Sequence, residues 1–191
     1  PQGGAFRRGG SKFIADVKTN TTKVRLISFE FSVTQAYILE FGNQYIRFYK
    51  DQGQIHEANK TISGATAANP CVVTFISSVV GMTEINNKHF KVADKTTNTF
   101  ELQNMLSVDV NSSAFTAYSS GGTAARVYTI ASPYLEAELY ELQFTQSADI
   151  LFIAHKNHEP RSLSRTAHTS FTLAEYELKA GPMLPVNTTA T

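Results

Sequence analysis

Two histidines three residues apart, followed directly by a carboxylate, come nearest to a metal site in this sequence. They are His155, His158 and Glu159, and His168 follows nearby. Imidazole and carboxylate groups bind zinc, but the familiar catalytic motifs place them on a helix, and no helical pattern covers this stretch. Pro160 favours an extended or turn conformation before it. We therefore interpret the stretch as a loop and expect no metal there. A zinc hydrolase using His155, His158 and His168 is the third of three hypotheses.

A glycine-rich basic segment, GGAFRRGGSK, lies near the start of the sequence. Its backbone amides and the cations of Arg7, Arg8 and Lys12 can meet an anion, as phosphate-binding loops do. The Gly-Lys-Ser/Thr order of those loops is absent, so a nucleotide site is not indicated. We expect a basic arm in which Arg7, Arg8 and Lys12 contact a neighbouring chain or DNA, with salt-sensitive binding as its signature.

The remaining reactive side chains have simpler interpretations. Cys71 lies in an apolar strand pattern, PCVVT, with no basic residue close in sequence to activate the thiol, so we expect it to be buried and inert. The acidic pairs Glu136 with Glu138 and Glu175 with Glu177 need only solvation. We expect no catalytic residue, no cofactor and no enzymatic activity.

Composition favours strands over helices. The 191 residues are 42% hydrophobic, and the 13 Phe and 8 Tyr residues suit a pleated, half-buried surface. The net charge of +1 excludes a whole-chain electrostatic argument for nucleic acid or an anionic membrane. No apolar run approaches the roughly 20 residues that span a bilayer, so we expect no membrane insertion. Because the sequence begins without Met, we expect it to be part of a longer polypeptide.

The stretch TQAYILEFGNQYIRFYK predicts a β-hairpin. Gly42 and Asn43 suit a two-residue turn that needs positive φ. One face about this turn is apolar and is expected to be core. The other carries Glu40 and Arg47 on a diagonal and is expected to be partly wet. The predicted pairs are Phe41 with Gln44, Leu39 with Ile46, Tyr37 with Phe48, Glu40 with Tyr45, and Ile38 with Arg47.

Further strands follow from alternation and from apolar runs bounded by turn residues. One short helix of two to three turns is predicted after Ser132 and Pro133, because Leu135, Leu139 and Leu142 recur at helical spacing. Ser-Ser-Gly-Gly in AFTAYSSGGTA indicates a break. The other predicted strands are 13–17, 23–31, 54–55 after a turn with Gly53 left-handed, 71–76, 88–93, 98–103, 125–131, 150–154 and 169–178.

The chain is predicted to be mainly β, with an antiparallel meander or propeller-like scaffold interrupted by an inserted small β domain. From residue 58 the composition shifts to small polar residues, which is typical of a boundary. Segments 29–41 and 142–154 align without gaps, and such repetition makes a propeller one candidate architecture. The predicted limits are 1–56 for the first scaffold part, 57–125 for the insert, and 126–191 for the second scaffold part.

The segments FRRGGSKFIADVK, KVRLISFEFSVTQAYILEFGNQYIRFYKDQGQI, YTIASPYLEAELYELQFTQSADILFIAH and EPRSLSRTAHTSFTLAEYEL resemble, in that order, the N-terminal part of a family of bacteriophage tail proteins. These proteins look like the nozzle or tail-tube components of short-tailed phages. The resemblance implies a propeller-like scaffold that assembles as a ring of identical copies below the portal and its adaptor. It also implies transient contact with phage DNA and location in the virion.

The middle segments VVGMTEINNKHFKV and NTFELQ are similar to the small β domain inserted in ubiquitin-activating enzymes. The resemblance implies a packing module, and Cys71 matches no catalytic cysteine of those enzymes. In such phage relatives the scaffold passes directly from KDQGQI into YTIASPY. Between Thr74 and Phe75 this sequence lacks a longer segment of the family, through natural deletion or because residues are missing.

The first hypothesis is therefore a virion structural protein. The second is a host-recognition module in which the insert binds a surface glycan or protein, with Phe115 and Tyr118 supplying aromatic stacking. The residues expected in the scaffold core are Tyr37, Leu39, Phe41, Ile46, Phe48, Ile150 to Ile153, and Phe171.

Overall fold

A computed structural model describes residues 10–32, 35–57, 60–61, 73–94, 96 and 99–177. The protein is mainly β, as predicted, and its contacts divide the chain into two compact units, Pro1–Tyr140 and Glu141–Thr191. The strands are β1 (Arg25–Ser32), β2 (Gln35–Gly42), β3 (Tyr45–Lys50), β4 (Gly53–Gln54), β5 (Lys60–Thr61), β6 (Val73–Val80), β7 (Lys88–Ala93), β8 (Glu101–Gln103), β9 (Ser120–Arg126), β10 (Thr129–Ala131), β11 (Gln143–Ser147), β12 (Ile150–His155), β13 (His158–Ala167) and β14 (Ser170–Glu175).

The predicted hairpin exists as β2 and β3, but its turn lies one residue later than predicted. Gly42 pairs with Tyr45, and the turn consists of Asn43 and Gln44, whose φ is 61°. Gly42 is needed in the strand because a Cβ there would lie 2.2 Å from the Tyr45 ring. The observed pairs are Ile38 with Tyr49, Leu39 with Phe48, Glu40 with Arg47, and Phe41 with Ile46.

The register error moves each partner by two residues, so every side chain stays on its predicted face. The inner face is core as expected, with Tyr37, Leu39, Phe41, Ile46 and Phe48 fully buried.

The outer face of the hairpin was predicted incorrectly. Glu40 and Arg47 are each only 1% exposed, although Ile38 beside them is 42% exposed. The tyrosine hydroxyls of β3 reach back to Glu40, so this part of the face is closed rather than wet.

The second turn uses positive φ at Asp51 and Gln52, at 51° and 62°, and not at Gly53. Lys50 pairs with Gly53 across it, which leaves a fourth strand of two residues, β4. Gly53 therefore serves as the first residue of a strand instead of as the left-handed corner.

The fourth strand of the first sheet is divided between two distant parts of the chain. The order is β1-β2-β3-β10, and β4 pairs with the same strand, β3, as β10 does. Gln54 pairs with Tyr49, and Thr129 pairs with Arg47. Residues between the two half-strands leave the sheet and return to the same edge of it.

Those intervening residues form a sheet of their own, ordered β5-β9-β6-β7-β8. Its core contains Ile76, Val79, Ile85 and Phe90. The predicted break at Ser-Ser-Gly-Gly is wrong, because this sequence begins β9, which pairs with β5 and β6. β6 runs through Thr74 and Phe75 without interruption. The limits 57–125 stay a prediction.

The predicted helix after Ser132 and Pro133 is wrong. The segment contains one 3-10 turn, Glu136–Glu138, because Leu135 stays extended before it. Leu139 is fully buried, whereas Leu135 is 48% exposed, so the leucines do not share one helical face.

The predicted strand at residues 13–17 is also wrong. These residues have no strand partner, and Phe13 is 74% exposed. Ile14, Ala15 and Val17 instead line a pocket of the first unit. Among the described residues, no helix has the length and apolarity that a membrane crossing requires.

The second unit contains a four-stranded antiparallel meander, β11-β12-β13-β14. Leu151, Ile153 and Phe171 are buried as expected, but Ile150 is 36% exposed because it lies on the opposite face. The gap-free alignment of 142–154 with 29–41 equates Ile150 with the buried Tyr37. A side chain that faces the core in one segment is therefore aligned with one that faces outward in the other.

Candidate functional site

The predicted contact residues of the basic arm are only partly described by the structure. Arg7 and Arg8 lie outside the described residues. Lys12 is exposed, and its Nζ lies 3.4 Å from Oε1 of Gln52. Contact between these cations and DNA or a neighbouring chain stays a prediction.

The histidine stretch is the tip of a β-hairpin, so the predicted loop is present only as the two-residue turn between two strands. His155 ends β12, His158 begins β13, and Lys156 and Asn157 form the turn between them. The pairing is irregular here: Ile153 pairs with Arg161, and the next pair is His155 with His158. This irregularity accommodates Pro160, which has no amide hydrogen to donate to the ladder.

The three histidines do not converge on one point. The rings of His155 and His158 lie 5.2 Å apart, centroid to centroid. His168 follows the ten residues of β13, which places it roughly 30 Å along the strand from His158 at about 3.3 Å per residue. A zinc site of these three side chains is therefore geometrically excluded.

His155 is held by its neighbours in the second unit. Its Nδ1 accepts the N–H of Asn157 at 3.2 Å, and its Nε2 lies 3.4 Å from Oε2 of Glu141. The same Glu141 oxygen is 2.8 Å from Nζ of Lys156. Lys156, more than His155, lowers the pKa of the Glu141 carboxyl below its ordinary value.

The acidic pairs have structural partners. Oε1 of Glu136 accepts the N–H of Lys23 at 2.8 Å, and Oε2 of Glu138 accepts the N–H of Leu135 at 2.9 Å. Oε1 of Glu175 accepts from Arg161 at 2.6 Å. These carboxylates cap a turn or pair a cation, and Glu177 is exposed. Cys71 lies outside the described residues.

The two aromatic residues proposed for receptor stacking differ in environment. Phe115 is partly buried: it packs against the core of the insert sheet and also lines a groove of that sheet. Tyr118 is 59% exposed and donates its hydroxyl hydrogen to the carbonyl of Gly121 at 3.1 Å. The more exposed ring of the two is that of Tyr118.

The most concentrated polar chemistry lies on the outer face of the first sheet and was not predicted. The hydroxyl of Tyr45 donates to Oε1 of Glu40 at 2.6 Å, and the hydroxyl of Tyr49 donates to Oε2. Gln54 donates to the Tyr49 oxygen at 2.9 Å. Burial, followed by the interaction with the Glu40 carboxylate, raises the pKa of both tyrosines far above the ordinary value. Both hydroxyls therefore stay protonated and act as permanent donors.

Arg47 completes this cluster as the cross-strand partner of Glu40. Its guanidinium carbon lies 5.7 Å from the centroid of the Tyr45 ring, which is within the range of a cation–π contact. The Nε and Nη1 atoms are buried and have no hydrogen-bond partner among the described residues. The charge of Arg47 and that of Glu40 act in opposite directions on the pKa of Tyr45 and Tyr49: Glu40 raises it and Arg47 lowers it.

An apolar pocket of about 460 Å³ opens next to Glu40 and Tyr49. This volume falls in the range of small-molecule sites. Both Glu40 oxygens already accept tyrosine hydroxyls, so this carboxylate is not free for acid–base chemistry. Its apolar wall includes Ile14, Val17, Val24, Leu26 and Ile38.

A second cluster lies where the insert sheet meets the first sheet. Nε2 of His56 and Nε2 of His89 are 3.0 Å apart, and both rings contact Phe75 with centroids 5.0 and 5.1 Å away. His56 precedes the insert, whereas Phe75 and His89 face each other on β6 and β7. Burial lowers the pKa of His56, and burial, His56 and Arg47 lower the pKa of His89 to about 4.

Neither cluster was found by sequence reasoning, for different reasons. Glu40 and Arg47 were recognised as neighbours, but their alternation with apolar residues is also typical of a wet face. His56 and His89 are 33 residues apart, and no local pattern joins them.

Comparison with known proteins gives this chain no relative: no family model matches it, and no curated protein matches it.

Proposed function

We propose that this chain is a structural component of a bacteriophage tail, part of a nozzle-like ring that helps form the DNA passage. The observation that carries the proposal is the use of its polar groups. Among the described residues, the buried Glu40 carboxylate accepts two tyrosine hydroxyls within the sheet, and His168 lies the length of β13 away from His155 and His158. These hydrogen bonds join neighbouring strands to each other, which suits a structural protein.

The sheet architecture supports the same role. One meander has the order β1-β2-β3-β10 and the other β11-β12-β13-β14. Four-stranded antiparallel sheets are the units from which propellers are built. We propose a propeller-like scaffold with residues 57–125 inserted, whose copies join side by side in the virion and contact neighbouring tail proteins such as the portal adaptor. Arg7, Arg8 and Lys12 would then contact a neighbour or the passing DNA.

The ring is tested on the purified protein. We expect sedimentation velocity to show a discrete oligomer and negative-stain images to show closed rings, because a tail ring needs repeated subunit contacts. The same measurement over a dilution series separates specific assembly from aggregation, which gives no fixed size. A monomer at every concentration tested would contradict the proposal.

A host-recognition role for the insert is the second candidate. It is favoured by the separation of the insert sheet from the strand ladder of the first sheet and by the exposed ring of Tyr118. A groove of about 380 Å³ in the same sheet has Glu101, Asp109 and Ser112 among its lining residues. Carboxylates and an aromatic ring are groups that bind sugar hydroxyls and ring faces.

Deletion of residues 55–127 distinguishes the two roles. The deletion joins Gln54 to Tyr128, and the register along β3 then continues from Gln54 opposite Tyr49 to Thr129 opposite Arg47. We expect the first sheet to fold, because both half-strands already pair with β3.

In phage carrying the deletion, normal particles that no longer adsorb to the host would support recognition. Loss of particles would support an assembly role for the insert. Particles that form and adsorb normally would exclude recognition by the insert. A variant with Tyr118→Ala alone is the matched control for a defect caused only by the lost aromatic ring.

A further inference from the structure

The insert sheet is joined to the first sheet by a two-stranded stem. Tyr128 donates its N–H to the carbonyl of Ile55 at 2.8 Å, and Glu57 donates its N–H to the carbonyl of Arg126 at 2.8 Å. Between these bonds, His56 and Val127 form an isolated bridge. Two such short segments resemble a hinge, in which a few residues absorb a change of angle.

Side chains of the stem and of the insert sheet meet at this hinge. His56 belongs to the stem; its ring stacks on Phe75 and meets that of His89 edge to edge, with an angle of 23° between the two imidazole planes. The centroids of the imidazoles are 5.2 Å apart and their Nε2 atoms 3.0 Å apart, so the nitrogens point at each other. This geometry is a hydrogen bond in which one imidazole donates and the other accepts, and the acceptor must be neutral.

The charges around the pair oppose its protonation. Arg47 of β3 and Asp16 of the N-terminal segment both act on His89, and Arg47 has the larger effect. Glu57 of the stem is engaged by Nε of Arg126 at 2.8 Å. Glu40 is the cross-strand partner of Arg47 and already accepts two hydroxyls. A proton added to His89 is therefore opposed by the charge of Arg47, and the carboxylate of Asp16 offsets this effect only in part.

We propose that His56 and His89 form an acid-operated latch, which holds the insert sheet at a fixed angle to the stem while the pair is hydrogen-bonded and releases it when both imidazoles are protonated. The latch does not depend on the tail function proposed above. It concerns only the attachment of the insert sheet to the stem.

The direction of the pH effect follows from the two states. In the closed state the pKa of His89 is about 4 and that of His56 is lowered, whereas an exposed histidine titrates near 6.5. The open state therefore binds more protons in this interval, so acid favours opening. As the pH falls from about 6.5 to about 4, the closed state is progressively lost, and above about pH 6.5 it is fully retained.

Distance measurements between paired spin labels test the latch in the full chain. Cys71→Ser removes the single native cysteine, and Ser28→Cys on the first sheet with Ser113→Cys on the insert carries the labels at exposed positions. At about pH 7.5 we expect a narrow distance distribution, and at about pH 4 a distribution roughly twofold broader, since histidine titration lies between these values.

The double variant His56→Phe with His89→Phe should keep the narrow distribution at both pH values, because its rings still stack on Phe75 and cannot be protonated. His168→Phe, on the turn after β13, is the matched control and should behave like the parent. Equal broadening in the parent and in the double variant, or no broadening in the parent, would overturn the latch.

Histidine titration in the unsubstituted chain provides a second measurement, should the double variant not fold. Nuclear magnetic resonance of the ring protons should show His56 and His89 titrating below the ordinary histidine value of about 6.5. Titration of both residues at that ordinary value would mean that the pair is not closed in solution, which also overturns the proposal.

Discussion

Replacing Glu40 with Ala is expected to lower the free energy of unfolding of the first unit by about 3–5 kcal/mol, the usual cost of removing one partner from a buried charge pair. Glu40 and its cross-strand partner Arg47 are each 1% exposed. The substitution also leaves the hydroxyls of Tyr45 and Tyr49 without their acceptor. Urea denaturation followed by circular dichroism measures the loss as a shift of the transition midpoint.

Two variants separate the buried charge from side-chain truncation in general. Glu175→Ala removes a carboxylate that is bonded to Arg161 on the surface of the second unit, and it should cost less than about 1 kcal/mol. The double variant Glu40→Leu with Arg47→Met should regain much of the stability, because no uncompensated charge stays buried. If Glu40→Ala unfolds at the same urea concentration as the parent, the cluster does not stabilise the sheet.

Gly81→Ala should destabilise the insert sheet by more than about 2 kcal/mol, since a left-handed backbone strains any other residue and a clash adds to the strain. Gly81 has a φ of 94°, and a Cβ there would lie 2.2 Å from the carbonyl oxygen of Ala117. The carbonyl oxygen is a backbone atom and the position of a Cβ is fixed by its own backbone, so no side-chain rotation relieves the contact. Hydrogen exchange should show faster opening of β6 and β9, with β1 to β3 unchanged.

Gly10→Ala is the matched control for this glycine. A Cβ at Gly10 meets nothing within 4 Å, so exchange rates throughout the chain should stay at the parent values. Equal protection of β6 in Gly81→Ala and Gly10→Ala would show that the close approach of Gly81 to the carbonyl of Ala117 does not exist in solution.

Local patterns identified most of the strands because burial on one face imposes a period of two. In β2 and β3, alternation correctly placed Tyr37, Leu39 and Phe41 in the core although the turn was misplaced. The register failed because Gly42 was assigned to the turn, whereas its missing Cβ makes room for the Tyr45 ring. The alternation of apolar and polar residues determines which face of the sheet a side chain occupies. The position of the turn was instead determined by the packing of the Tyr45 ring against Gly42.

Local signals failed where the chain makes its partners elsewhere. The leucine spacing after Ser132 is helical, but the segment forms a single 3-10 turn, and Lys23 and Asn43 bond to its first residue, Glu136, from other parts of the chain. The histidine stretch was predicted as a loop, with Pro160 in support, but only Lys156 and Asn157 form a turn, and β13 pairs with strands on both sides. Tertiary contacts of this kind outweigh propensities of a few tenths of a kcal/mol.

The sequence by itself determined that the protein is mainly β and which residues form the hairpin core. Only the tertiary structure decided that Glu40 and Arg47 are buried and that His56 meets His89. The physical reason is that amino-acid pattern acts over a few residues, whereas the burial of a charge and the meeting of side chains 33 positions apart depend on which strands pair.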